Sequence, residues 1–146
     1  MFDCVDNGTL NSVSVLANGV AFEHAVAGIR QRPGLRAALH LNLFERHPVA
    51  RESEVGVLVG DSGEFERGFG GLWGAYARAS RDEKERFRKA VVAEYSAQLG
   101  RAKDALGDKW DVEVDGHVHI DMIPFLFACL LSLMDRLVIR DNRRLP

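Results

Sequence analysis

A carboxylate and two imidazoles lie within five positions of one another in Asp115-Gly116-His117-Val118-His119. A third imidazole, His40, ends the apolar run Leu39-His40-Leu41-Asn42-Leu43. Two imidazoles and a carboxylate suit zinc or a similar divalent ion. Alternate positions of an extended segment point to one side, so an extended backbone past Asp115 would turn Asp115, His117 and His119 toward one pocket. A metal held by two or three protein groups keeps a coordination position for water, which becomes more acidic and a better nucleophile there. A nearby carboxylate can take the proton from that water, and a histidine across the pocket can protonate a leaving group. Amide or ester hydrolysis is the chemistry such a set performs. The competing reading has Asp115 capping a turn, one histidine packed and the other solvated.

Other chemistry-bearing residues carry weaker signals. His24 follows Glu23 on a helix surface, and His47-Pro48 lies in a loop that faces solvent. Arg140 and Arg143 form a charged rim that could meet an anionic or sugar substrate. Glu94, with Gln98 one turn later, reads as solvated. Cys4 and Cys129 are read as buried thiols of a reducing compartment, not as a bridge, which points to the cytoplasm. Neither cysteine has a histidine close by for nucleophilic chemistry. No phosphate loop or dinucleotide fingerprint is present.

The elements that must position these residues follow from periodicity. Met1–Asn7 reads as the tail of a helix stopped at Gly8. Leu10–Leu16 alternates as a strand, Asn18-Gly19 turns the chain, and Phe22, Ala25, Val26 and Ile29 recur at helical spacing. Pro33-Gly34 ends that helix. Leu35–Leu43 is a second strand with His40 near its end. Glu54–Leu58 is read as a short strand. The glycines at 68, 70, 71 and 74 make the next stretch a surface loop. Ser80 and Glu83 form a capping box, opening a helix with Phe87, Val91, Tyr95, Leu99, Ala102 and Leu106 on one stripe. Gly107 stops it. Trp110–Val114 is a strand that delivers Asp115 and His117 at its carboxyl end. Asp121 caps a final helix that tolerates Pro124 in its first turn. Leu126–Leu133 is apolar enough for burial on most sides, and Leu137–Ile139 begins a further strand. This alternation implies parallel strands with right-handed crossovers, with ligands gathered beyond the strands' carboxyl ends.

Composition narrows the classes. A chain of 146 residues forms one domain and can bury roughly two thirds of its unfolded surface. Hydrophobic content of 47%, charged content of 27% and a formal net charge of -2 give no drive toward nucleic acid or anionic lipid. The longest apolar run, near Phe125–Met134, is too short to span a bilayer.

The ordered segments Asn11–Gly19, Leu39–Leu43, Gly60–Phe65, Glu94 with Gln98, Asp115–His119 followed by Pro124, and Arg140 resemble the YdjC-like proteins, the ChbG/HpnK-type carbohydrate deacetylases. The resemblance spans nearly the whole chain. It implies one incomplete domain over 1–146, part of a distorted (β/α) barrel of the α/β class. It also implies removal of acetyl groups from an N-acetylated sugar or, as in the hopanoid-linked members, a glycolipid. The cofactor implied is a divalent ion, zinc or magnesium. By the same resemblance His40 and His117 are the metal ligands, and Asp115 and His119 are the candidate acid, base or orienting groups, their roles undivided. The family takes a further aspartate ligand from an Asp-Asp-Phe-Gly-like segment before its first helix. Asp3 and Asp6 do not match that segment, and the family continues past the position of Arg140. The resemblance therefore implies a middle portion of a barrel, truncated at both ends. Three accounts are compatible with it: an incomplete portion of an active deacetylase, a truncated and inactive relative, and a small α/β protein that binds or assembles, the last expected to form a homo-oligomer that covers its open sheet edges.

Overall fold

The computed structural model describes residues 2–142; the side chains at 110–112, 121 and 136–142 lie outside the described set, as do those of Arg140 and Arg143 considered above. Helix α1 (Phe2–Asp6) precedes strand β1 (Ser12–Val15), helix α2 (Phe22–Arg30) and strand β2 (Arg36–Leu41). Helices α3 (Glu52–Val55), α4 (Phe69–Arg78) and α5 (Arg81–Leu106) follow, then strand β3 (Trp110–Gly116) and helix α6 (Pro124–Asn142). The three strands form one parallel sheet in the order β1-β2-β3. This is an alternating α/β architecture, and no closed barrel forms among the described residues.

The sheet has two unlike faces. Val13, Val15, Ala37, Leu39 and Leu41 point to the helices and are buried. Ser12, Ser14, Ala38 and His40 point the other way and stay half-buried or exposed. Parallel sheets are normally covered on both faces. Here one face meets an apolar helical layer, and the other is a polar floor of small side chains under an open cavity of about 480 Å³.

Helix α5 organises the covered face. Its capping box is formed on both sides, with the Ser80 amide donating to Glu83 at 2.8 Å. Gly107 ends it at a φ of 54°, a conformation that glycine adopts without penalty. The stripe Phe87, Val91, Tyr95, Leu99, Ala102 and Leu106 is buried, as its spacing requires. Glu94 and Gln98 are fully buried on the same side, which corrects the expectation that they are solvated.

Four segments differ from their sequence patterns. The stretch expected as a strand at Glu54–Leu58 is the helix α3 with a turn behind it, because helical spacing lets Val55 and Leu58 bury together. The glycine-rich stretch is the helix α4, not a loop. Burial of Leu72 and Tyr76 one turn apart outweighs the weak propensity, and Tyr76 stacks on Phe125 with centroids 3.7 Å apart. Leu137–Ile139 continues α6 and begins no strand; no Gly or Pro interrupts the helix, and elongation costs less than a new element. That helix buries one side only. Phe125, Leu126, Cys129 and Leu133 are inside, while Phe127 and Leu131 are exposed.

The two thiols also part ways. Cys4 is exposed on the short α1, against expectation, and Cys129 is buried. Burial pushes the Cys129 thiol above the usual range, as suits a packing residue. Helix α1 is tied to the chain after α2 by Arg32, which donates twice to the Asp6 carboxylate and lies over the Phe2 ring.

Candidate functional site

The site forms where β2 and β3 end. Their register sets His40 beside Asp115 and Leu41 beside Gly116. Parallel pairing therefore brings residues 75 positions apart in sequence into contact at the carboxyl ends of the strands. His40 Nδ1 lies 2.7 Å from Asp115 Oδ1. The Ser14 hydroxyl, from β1, donates to the same carboxylate oxygen at 2.8 Å. His40 Nε2 lies 3.1 Å from His117 Nδ1, with the rings 5.1 Å apart and nearly perpendicular. His117 Nε2 in turn lies 3.2 Å from Glu45 Oε1. The result is a continuous relay: Ser14, Asp115, His40, His117, Glu45.

His119 takes no part in it among the described residues. The backbone does not stay extended past Gly116. It enters a 3-10 turn over His117–Met122, and Val118 and His119 adopt left-handed conformations with φ of 53° and 55°. The alternation that would have aimed both histidines at one pocket is broken there, and His119 is exposed. The structure thus brings together His40, Asp115 and His117 of the residues singled out by sequence and leaves His119 aside. His47 is likewise remote, its ring 3.2 Å from the Gly63 carbonyl oxygen and 69% exposed.

Two participants were not legible as such. In sequence Ser14 is marked only as a residue of the alternating strand Leu10–Leu16. Glu45 follows the carboxyl end of β2 by four residues, which is where this fold class collects ligand contacts; that position is the signal that could have found it.

The donor set bears on a metal. Ionised carboxylates only accept hydrogen bonds. Asp115 therefore favours the tautomer of a neutral His40 that carries its proton on Nδ1, which would turn the Nε2 lone pair toward His117. A histidine ligand backed by a carboxylate in this way is the usual second layer of a metal centre. Two nitrogens on one tetrahedral zinc, each at about 2.0–2.1 Å, stand about 3.4 Å apart. The 3.1 Å between the facing nitrogens matches that spacing within a few tenths. The imidazole pair fits as two ligands of a divalent cation. It is not a complete set: among the described residues no group of three or more His, Cys, Asp or Glu side chains is arranged to hold a metal.

Comparison with known proteins agrees with the segment order. Residues 1–146 match the model of the YdjC-like protein family. A carbohydrate deacetylase of Mus musculus is 34% identical over 137 residues, covering 93% of this chain and 42% of the relative. The Homo sapiens carbohydrate deacetylase is 35% identical over 138 residues, covering 93% and 40%. A Danio rerio carbohydrate deacetylase is 31% identical over 133 residues, covering 89% and 40%. The chain thus spans about two fifths of the length of the curated relatives it matches. In fold it is similar to an Enterococcus faecalis V583 crystal structure described as a proposed cellobiose-phosphate cleavage protein. The TM-score is 0.72 at 22% identity, over 92% of this chain and 48% of the other. A match over its whole length, with relatives this similar, shows that the chain belongs to the YdjC-like family.

Proposed function

We propose that the chain carries the histidine-bearing part of a hydrolytic site directed at N-acetylated carbohydrate, sugar or glycolipid. We further propose that these 146 residues by themselves bind rather than turn over. The observation that carries this reading is the relay itself: two imidazoles face each other, each backed by a carboxylate, and among the described residues no three His, Cys, Asp or Glu side chains are arranged to hold a metal. When bound, a divalent ion would polarise the amide carbonyl and make water a better nucleophile. His40 and His117 would hold it, and Asp115 would orient His40. In amide hydrolysis water adds to the carbonyl carbon, the carbon–nitrogen bond breaks, and the amine leaves with a proton. Asp115 is the candidate group for those proton movements; His119, expected for the same role from the resemblance, could share it only if the turn that leaves it exposed were rearranged.

Zinc titration of the metal-free chain tests the binding half. Uptake in the micromolar range, lost in His117→Ala, is expected. No uptake, or uptake unchanged in the variant, sinks the assignment of His40 and His117.

The second reading is catalysis by the chain as it stands, favoured by the carbohydrate deacetylases among its relatives. Acetate release from acetylated chitooligosaccharides separates the two. Metal-dependent release by this chain establishes the second reading and overturns the first.

A further inference from the structure

We propose that Glu45 is a positioning residue of the site. Its carboxylate keeps the proton of His117 on Nε2 and so leaves Nδ1 bare toward His40. The inference rests on the reading of His40 and His117 as metal ligands.

From Asp115 to Glu45 the relay has three links and two rings. Asp115 at one end and Glu45 at the other both accept, so each neutral ring spends its single N–H outward. The two inner nitrogens, 3.1 Å apart, then present lone pairs to each other. Two facing lone pairs repel unless a cation sits between them. An imidazole pair with this tautomer on both rings is set up to receive one. Without Glu45, His117 can place its proton on Nδ1 and donate it to His40, and the opening for a cation closes.

The two carboxylates are held by different means. Asp115 is placed by strand register and by Ser14. Glu45 lies in a loop, yet its backbone is clamped. The Asn42 side chain accepts from the Glu45 amide at 3.3 Å and donates to the Glu45 carbonyl at 2.9 Å. Asn18 donates to that carbonyl as well, at 2.9 Å, and to the carbonyl of His47 at 3.1 Å. The chain leaves Glu45 through Arg46 in a left-handed conformation, φ 68°, which a side chain other than glycine rarely adopts. A surface glutamate that contacted His117 by chance would need neither the clamp nor the strained turn.

Exposure separates positioning from stability. The Glu45 side chain is 56% exposed and that of His117 20%. A polar contact that open adds little to folding, so removing Glu45 should act on the ring without unsettling the fold.

The experiment compares the full chain with Glu45→Ala and Glu45→Gln. Nitrogen-15 spectra of the imidazoles are taken without metal, above the histidine titration range, and zinc affinity is measured by competition with a chromophoric chelator. In the parent chain the His117 proton is expected on Nε2. In Glu45→Ala the ring should become a mixture of tautomers, with zinc bound about 10- to 100-fold more weakly and the thermal midpoint unchanged. Glu45→Gln, whose amide oxygen still accepts, should restore most of both. An unchanged His117 tautomer in Glu45→Ala overturns the proposal. If the parent takes up no zinc but the tautomer still responds to Glu45, the role of Glu45 stands and only the metal reading falls.

Discussion

At the scale of single residues, the site depends on polar groups whose burial their chemistry disguises. Glu94 falls seven positions after Phe87 and three after Val91, a spacing compatible with the buried side of α5 but not sufficient to place it there. Its charge argues for the solvent side, and the structure decides for the core. Its carboxylate accepts from the amides of Val49 and Ala50 at 2.9 and 2.8 Å, and from Gln98 Nε2 at 2.7 Å. Gln98 also bonds both the amide and the carbonyl of Asn42. Together they fasten the two ends of the loop that carries Glu45, which no local pattern could reveal because every partner lies at least 44 positions away except Gln98 itself. Glu94→Gln would replace one acceptor oxygen by a donor and leave a buried amide unpaired. The expected cost is about 1–3 kcal/mol, read as a lower urea midpoint with an unchanged slope. A variant as stable as the parent would show that the loop finds other partners.

At the scale of elements, local signals decided the ends and tertiary contacts decided the exceptions. The capping box at Ser80 and Glu83 was readable from four residues and is formed as read. The Ser80 hydroxyl and amide beside Glu83 hold its carboxyl below the usual carboxylate range. A depressed folded value means the linkage is present above the ordinary glutamate range and is lost as pH falls through the lower, folded value. Ser80→Ala should cost about 1 kcal/mol near neutrality, and the gap between variant and parent should narrow in acid. Paired thermal melts at neutral and acidic pH check this; a gap that widens in acid contradicts the sign. Helix α4 shows the opposite case. Its glycines disfavour a helix, yet Tyr76 gains a stacked Phe125 and an edge-on Phe87 by being helical. Phe125 lies 49 residues farther along the chain, out of reach of any local rule.

At the scale of the whole molecule, the sheet is covered on one face only. Its uncovered face is polar, and its outer strands β1 and β3 pair with no further strand among the described residues. Exposed edges of this kind invite pairing with another copy. A chain that binds or assembles rather than turns over is therefore expected to sediment as more than one copy at tens of micromolar, with or without zinc. A stable monomer over that range would count against assembly and leave binding alone.

The sequence by itself determined the family, the order of most elements and the pairing of His40 with the Asp115 segment, because strand ends and helix caps are written in a few neighbouring residues. It also determined the covered face of the sheet, since period-two alternation separates Val13 and Val15 from Ser12 and Ser14. Tertiary structure alone decided that Ser14 and Glu45 close the relay, that His119 turns away, and that Glu94 is a core residue. Each of those outcomes rests on contacts between distant segments or on a single left-handed turn. Such contacts are settled by the free energy of the assembled fold, in which burying a polar group costs little once every one of its hydrogen bonds is made.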